Sequence, residues 1–271
     1  MRQTLKKYWS LFRIRFINTL QYRIAALAGL ATQFAWGAML ILGFAAFYNT
    51  NPDAFPMTFD QTTTYIWLQQ SMVMLIYASL IDREIIDSIT EGSIAYELVR
   101  PVNLYNRWMC QIVANRISRT LLRLVPVILV SSLLPYPFGL SAPANLEHFI
   151  FFILSITLSV GVMATLVNLM YIFLFYTLNI SGLNGIIYGI FMPLAGGIIP
   201  LPFFPEPFRS IAMLLPFAAL QDIPLRVYNG HIYGVELAQV LGLQVFWLIF
   251  LLVTGHLLMK HTLKKVVVQG G

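Results

Sequence analysis

The sequence predicts an all-α polytopic membrane protein, and three observations carry that reading. Hydrophobic residues make up 58% of the 271 residues, charged residues only 10%, and mean hydropathy is +0.75, whereas soluble domains carry roughly 25% charged residues. The apolar residues gather into runs of about 20, the length a helix needs to cross a hydrocarbon core roughly 30 Å thick. These runs are continuous and rich in Leu, Ile, Phe and Gly, unlike barrel strands, which alternate over about ten residues. The spans consume most of the chain, so 1–271 reads as a single transmembrane domain.

Residues 1–24 place Leu5, Trp9, Phe12, Phe16 and Leu20 at helical spacing among Arg2, Lys6, Lys7, Arg13, Arg15 and Arg23. That is the pattern of an amphipathic helix lying in the membrane interface, either as an elbow beside a partner or as a basic anchor. The apolar run that follows is longer than a signal-peptide core, so the segment is expected to stay attached. The first span is read at 25–48. A polar loop with Asn51, Pro52, Asp53 and Asp60 leads to a second span at 64–81. After a charged segment at 82–107, the third span runs over 110–134 and ends at Pro135, Pro137 and Gly139. Spans four and five are read at 148–175 and 182–201.

Between 202 and 234, Pro202, Pro205, Pro207, Pro216 and Pro224 interrupt apolar sequence. The stretch is too broken to cross as one helix and too apolar for an exposed loop. It reads as a short helix over 208–220, or a helical hairpin, dipping into the outer leaflet, where non-helical backbone must be buried or line a cavity. An interfacial helix on the outer surface is the alternative. The sixth span, 235–259, is followed by the basic tail 260–271 with Lys260, Lys264 and Lys265. With both ends in the cytoplasm, 15 of the 17 Lys and Arg residues lie inside and only Arg209 and Arg226 outside, as the positive-inside rule requires.

Several chemistries are missing. No G-x-x-x-x-G-K-[ST] phosphate loop occurs; GHLLMKHT at Gly255 lacks the second glycine. His148, His231, His256 and His261 are scattered and show no ligand spacing, so neither a metal site nor a catalytic residue is expected. Cys110 is the single cysteine and forms no intrachain disulfide. Away from their ends the predicted spans contain no Asp, Glu or Lys, which argues against ion-coupled secondary transport and for energy supplied by another subunit.

Neutral polar residues remain in the spans: Gln69, Gln70, Asn168, Asn184, Gln239 and Gln244. They either line a substrate path or bond between helices. Arg116, Arg119 and Arg123 share one face of the third span. They either snorkel to headgroups or form a basic stripe at the inner mouth of a pathway, where anionic or amphiphilic cargo would gather. Gly182, Gly185 and Gly189 line one side of the fifth span, a weak signal for close helix approach.

The segment 82–107 is the most patterned charged stretch. Ile81, Ile85 and Ile89 occupy one helical face, Glu84, Asp87 and Glu91 another, and Gly92 supplies a stop. Ser93 is placed to cap a second turn over 95–98, which Arg100-Pro101 then breaks. A solvated loop would be more random and less apolar, so a docking role is the stronger reading.

An amphipathic N-terminal helix, six spans with both ends inside, a cytoplasmic helix between spans two and three and a broken apolar segment before span six together resemble an ABC-2-type permease, the membrane subunit of an ABC exporter. The stretch EGSIAYELVRPVN at 91–103 is similar to the Gly…Leu-x-Arg-Pro pattern of one bacterial branch of these permeases. The resemblance covers nearly the whole chain in architecture and a dozen residues in motif.

It implies a non-catalytic subunit of the bacterial plasma (inner) membrane, paired with a second permease chain, a different one in preference to a copy. A separate ATPase, holding ATP and Mg, would dock on 82–107. Carried over by position, Glu84, Asp87, Glu91, Glu97 and Arg100 become candidate ATPase contacts, with Gly92 and Pro101 shaping the segment. Gln69, Gln70, Arg119, Arg123, Asn168 and Asn184 become the candidate substrate path. Family cargoes include drugs, lipids, antibiotics and polysaccharides; membrane lipids are expected around the chain and no nucleic acid. A membrane scaffold that binds a cytoplasmic partner without transport is the alternative.

Overall fold

The computed structural model of the protein describes residues 2–21, 28–76 and 82–265, and every regular element among them is helical. In chain order the helices are α1 (Arg2–Leu20), α2 (Leu30–Thr50), α3 (Phe59–Ile76), α4 (Arg83–Thr90), α5 (Ile94–Leu98), α6 (Leu104–Ser132), α7 (Leu146–Thr177), α8 (Ile180–Leu194), α9 (Phe208–Leu214), α10 (Asp222–Tyr228) and α11 (Gly234–Leu263). Three of them, α2, α7 and α11, are long and apolar enough to cross a membrane by length and composition. Ile81 lies outside the described residues, as do 22–27 and 266–271 from the predicted N-terminal segment, first span and tail.

Local chemistry sets most of the ends. Asn145 caps α7 by accepting the His148 amide at 2.8 Å, and Asn103 caps α6 by accepting the Asn106 amide at 3.1 Å. The α6 cap moves the helix start to Leu104, ahead of the predicted 110, and draws Arg107 into the helix. The predicted fifth span, 182–201, is shorter in the structure. Its helix contains a π turn at Ile187–Phe191 and ends at Leu194. Gly196 then turns the chain at φ +73°, with the Gly196 and Gly197 amides donating back to Pro193 and Met192. The predicted helix over 208–220 is divided. Leu215 is extended because Pro216 follows it, so α9 stops there and α10 begins at Asp222.

α7 forms the centre, packed by α11, α10, α6 and α3. Several of its buried polar groups bond across to neighbouring segments. Ser155 donates to Gln244 Oε1 at 2.9 Å, Gln244 Nε2 donates to Ala219 O at 3.0 Å, and Asn168 donates to Tyr105 O at 3.1 Å. A polar group left without such a partner in an apolar interior costs several kcal/mol. α1 lies along α6: Ser118 donates to Phe16 O at 2.6 Å, and the Thr19 hydroxyl to Asn115 Oδ1 at 3.0 Å.

Candidate functional site

α4 shows why the isoleucine period matters. Ile85, Ile86 and Ile89 are buried while Arg83, Glu84, Asp87 and Thr90 face outward, and each buried isoleucine contributes about 2 kcal/mol of apolar burial. Asp82, absent from the predicted site, is the hub that positions the helix. Its backbone N–H donates to the Tyr171 hydroxyl at 2.8 Å. Its carboxylate caps α4 through the Glu84 amide at 3.1 Å and accepts from Gln111 Nε2 at 2.9 Å and Asn115 Nδ2 at 2.7 Å. One residue therefore ties α4 to both α6 and α7. An Asp directly before an amphipathic run is a capping signal legible in sequence; its long-range partners are not.

Glu84 faces α1, where Arg15 donates to it through both terminal nitrogens. That hydrogen bonding holds the Glu84 carboxyl below its ordinary 4.5 and pushes Arg15 upward. Because Glu84 is more acidic folded than unfolded, its contribution is complete above pH 4.5 and is lost as pH falls through the lowered value. The Glu84 side chain is 53% exposed, so screening limits the contribution to less than about 1 kcal/mol. Distance measurements between spin labels on α1 and α4 are expected to broaden well below pH 4.5, and Glu84→Gln is expected to remove that pH dependence.

Gly92 follows α4 at φ +78° with open space around its α-carbon, a conformation that costs other residues roughly 1 kcal/mol or more. The chain then turns into α5, which carries Glu97, one of the candidate ATPase contacts. Its carboxylate points inward, pairing with the buried Arg107 at 2.7 Å and accepting from Trp108 Nε1 at 3.3 Å. Glu97 thus fastens α5 to α6. Besides Glu84, which Arg15 engages, the candidate contacts that stay outward are Asp87, Glu91, Gly92, Arg100 and Pro101, together with Tyr96, 77% exposed, and Val99, 82% exposed. Charge and large apolar area share one short surface.

The predicted path residues divide. Gln69, Gln70 and Arg123 meet at a half-open cleft of about 480 Å³ between α2, α3, α6 and the turn after α8. On α2 the cleft follows Gly29, Gln33, Trp36 and Leu40, about 16 Å of helix at 1.5 Å per residue. Gln69 Nε2 donates to Gly197 O at 2.7 Å and Gln221 Nε2 to Gly196 O at 3.2 Å, fixing the far wall. The Arg123 guanidinium lies against Gly29, where an added methyl carbon would sit 2.7 Å from Nη2. Asn168 is elsewhere, fully buried on α7. Arg119 is exposed and outside the cleft lining, and the Asn184 side chain is outside what the structure describes. Gln33, unremarkable in an apolar run, and Gln221 are polar cleft residues that sequence reasoning missed.

A buried polar cluster holds the segment behind that wall. Asp222 accepts from the Leu201 amide at 2.9 Å and from Arg226 at 3.2 Å, and the Tyr65 hydroxyl lies 3.0 Å from Gly196 O and 3.3 Å from Asp222 Oδ1. Arg226 also donates to His231 Nδ1 at 3.1 Å, leaving His231 Nε2–H to donate to Pro56 O at 3.0 Å. Among the described residues no three His, Cys, Asp or Glu side chains converge as metal ligands.

Residues 34–270 match the family described as ABC-2 family transporter protein. The chain belongs to the ABC-2 transporter family. The match takes in both the 82–107 segment and most of the cleft, while α1 lies before it. The ABC-2 permease is therefore an integral membrane protein and a membrane subunit of an ABC transporter. Among curated proteins, none matches this permease.

Proposed function

We propose that this permease is the exporting subunit of a bacterial ABC transporter and moves drug-like, lipid or other amphiphilic cargo. A separate ATPase, which binds ATP and Mg, docks on the 82–107 segment. In this reading six spans place both termini in the cytoplasm, α1 is the interfacial elbow and α4–α5 the coupling element. A second permease chain, different in preference to identical, completes the membrane unit. The single observation that supports the reading best is the outward surface of α4–α5, where Asp87, Glu91 and Arg100 stand beside the exposed Tyr96 and Val99. Closure of the ATPase would push on this surface, and Asp82 would pass the displacement to α6 and α7.

The test is co-purification with the ATPase and cargo-stimulated ATP hydrolysis in proteoliposomes. Asp87→Lys with Glu91→Lys is expected to lower ATPase recovery at least tenfold while leaving the permease folded. Unchanged recovery would overturn the docking assignment. ATPase binding with no cargo-stimulated hydrolysis would favour a scaffold that transports nothing.

A further inference from the structure

The cleft has two chemically different ends. At the Gly29 end stands Arg123, and among the described residues no carboxylate pairs with it. One helical turn further along α2 is Gln33, 7% exposed, whose Nε2 donates to Gln70 O at 2.9 Å while its Oε1 has no hydrogen-bond partner. Beyond Gln33 the lining becomes apolar, with Trp36 and Leu40 on α2 facing Met192 and Ile198. A cation, then a mostly buried glutamine with one unsatisfied oxygen, then an apolar wall follow one another along a single groove. Its volume of about 480 Å³ falls within the roughly 300–1,000 Å³ usual for small-molecule sites.

We infer that this cleft binds the head of an anionic amphiphile that carries a hydroxyl or amide donor next to its anion, with the tail lying toward Trp36 and Leu40. The anion neutralises Arg123, which is costly to keep in an apolar setting without a counter-charge. Gln33 Oε1 is itself closed off from the surface, so the neighbouring donor reaches it by a turn of the Gln33 side chain toward the head, and then satisfies a group whose desolvation is otherwise uncompensated. A zwitterionic head brings its own cation against Arg123, and an uncharged head leaves Arg123 unneutralised. Both should bind less well. The inference rests on reading the cleft as part of the cargo path, but its ligand preference is a property of the isolated permease.

The experiment uses three probes with the same brominated acyl chain: a lysophosphatidylglycerol, a lysophosphatidylcholine and an uncharged monoacylglycerol. Binding to the purified permease in nanodiscs is read as tryptophan quenching, because Trp36 lines the cleft and is 54% exposed. Trp36→Phe identifies the signal that belongs to the cleft. The phosphoglycerol head is expected to bind at least tenfold more tightly than either other head. Arg123→Gln should erase its advantage over monoacylglycerol, Arg123→Lys should keep most of it, and Gln33→Leu should weaken the phosphoglycerol probe several-fold. Affinities within twofold of one another, or a preference that survives Arg123→Gln, would overturn the inference. Because neither ATPase nor transport is involved, that failure leaves the docking reading standing. A failed docking test with intact head preference would fell the docking reading alone.

Discussion

Asp222→Ala is expected to destabilise the permease by about 3–5 kcal/mol, the usual cost of removing one partner of a buried ion pair. Asp222 is fully buried and holds Arg226 at 3.2 Å, the Leu201 amide at 2.9 Å and a share of the Tyr65 hydroxyl. Without it, among the described residues Arg226 keeps only the half-exposed Glu236 as a carboxylate partner, at 3.4 Å. The Leu201 amide is left without its acceptor. At the roughly 2–4 °C per kcal/mol typical of chains of this size, the midpoint of thermal unfolding should fall by about 10 °C. Asp222→Asn should cost less, since an amide oxygen still accepts from Leu201. The damage should reach the cleft, because Gly196 and Gly197 are held from one side by Tyr65 and Gln221 and from the other by Gln69. A midpoint within about 2 °C of wild type for Asp222→Ala would show that the cluster contributes little.

Asp82→Ala is the second large effect, and its consequence is communication more than global stability. The substitution removes an N-cap worth about 1 kcal/mol and leaves the amides of Gln111 and Asn115 without their acceptor, at roughly 1–3 kcal/mol for a buried unpaired group. Gln111 is 1% exposed, so water does not replace the lost bond there. α4 keeps its buried isoleucines but loses its tie to α6, with the contact to the Tyr171 hydroxyl remaining through the backbone. Hydrogen exchange should therefore accelerate in α4 by at least tenfold while the α7 amides stay protected. The ATPase should still co-purify, because Asp87, Glu91 and Val99 are untouched, but cargo-stimulated hydrolysis should fall several-fold. Protection of α4 equal to wild type would contradict the hub role.

Much of the fold is legible where periodicity and length speak alone. α7 and α11 stand out as long apolar runs, and α4 as an amphipathic helix stopped by a glycine, because those signals are local. What is not legible depends on partners distant in sequence. The start of α6 at Leu104 follows from the Asn103 cap and from Glu97, which neutralises an arginine that composition alone would leave outside the span. α8 ends early because Gly196 adopts a left-handed turn, which the surrounding apolar sequence does not announce.

The site divides in the same way. Asp87 and Glu91, which periodicity puts on one helical face, are exposed, as are Arg100 and Pro101 beyond the helix, whereas Glu97 turns inward to Arg107. Among the neutral polar residues, Gln69 and Gln70 line the cleft while Asn168 bonds to Tyr105 O between α7 and α6. Residue type does not distinguish those fates. Tertiary packing does, and the importance of Gln33 emerges only from an oxygen left without a partner.

The central claim, that α4–α5 is the surface on which the ATPase docks, is tested most directly by site-specific photo-crosslinking in native membranes. A photoreactive residue replaces Val99, which is 82% exposed beside the acidic face, and in a separate chain Ile211 on α9, which is 57% exposed in the 202–234 segment. The docking account predicts a covalent adduct with an ABC ATPase from position 99, strengthened by trapping ATP, and none from position 211. Absence of an ATPase adduct at 99, or equal adducts at both positions, would contradict it.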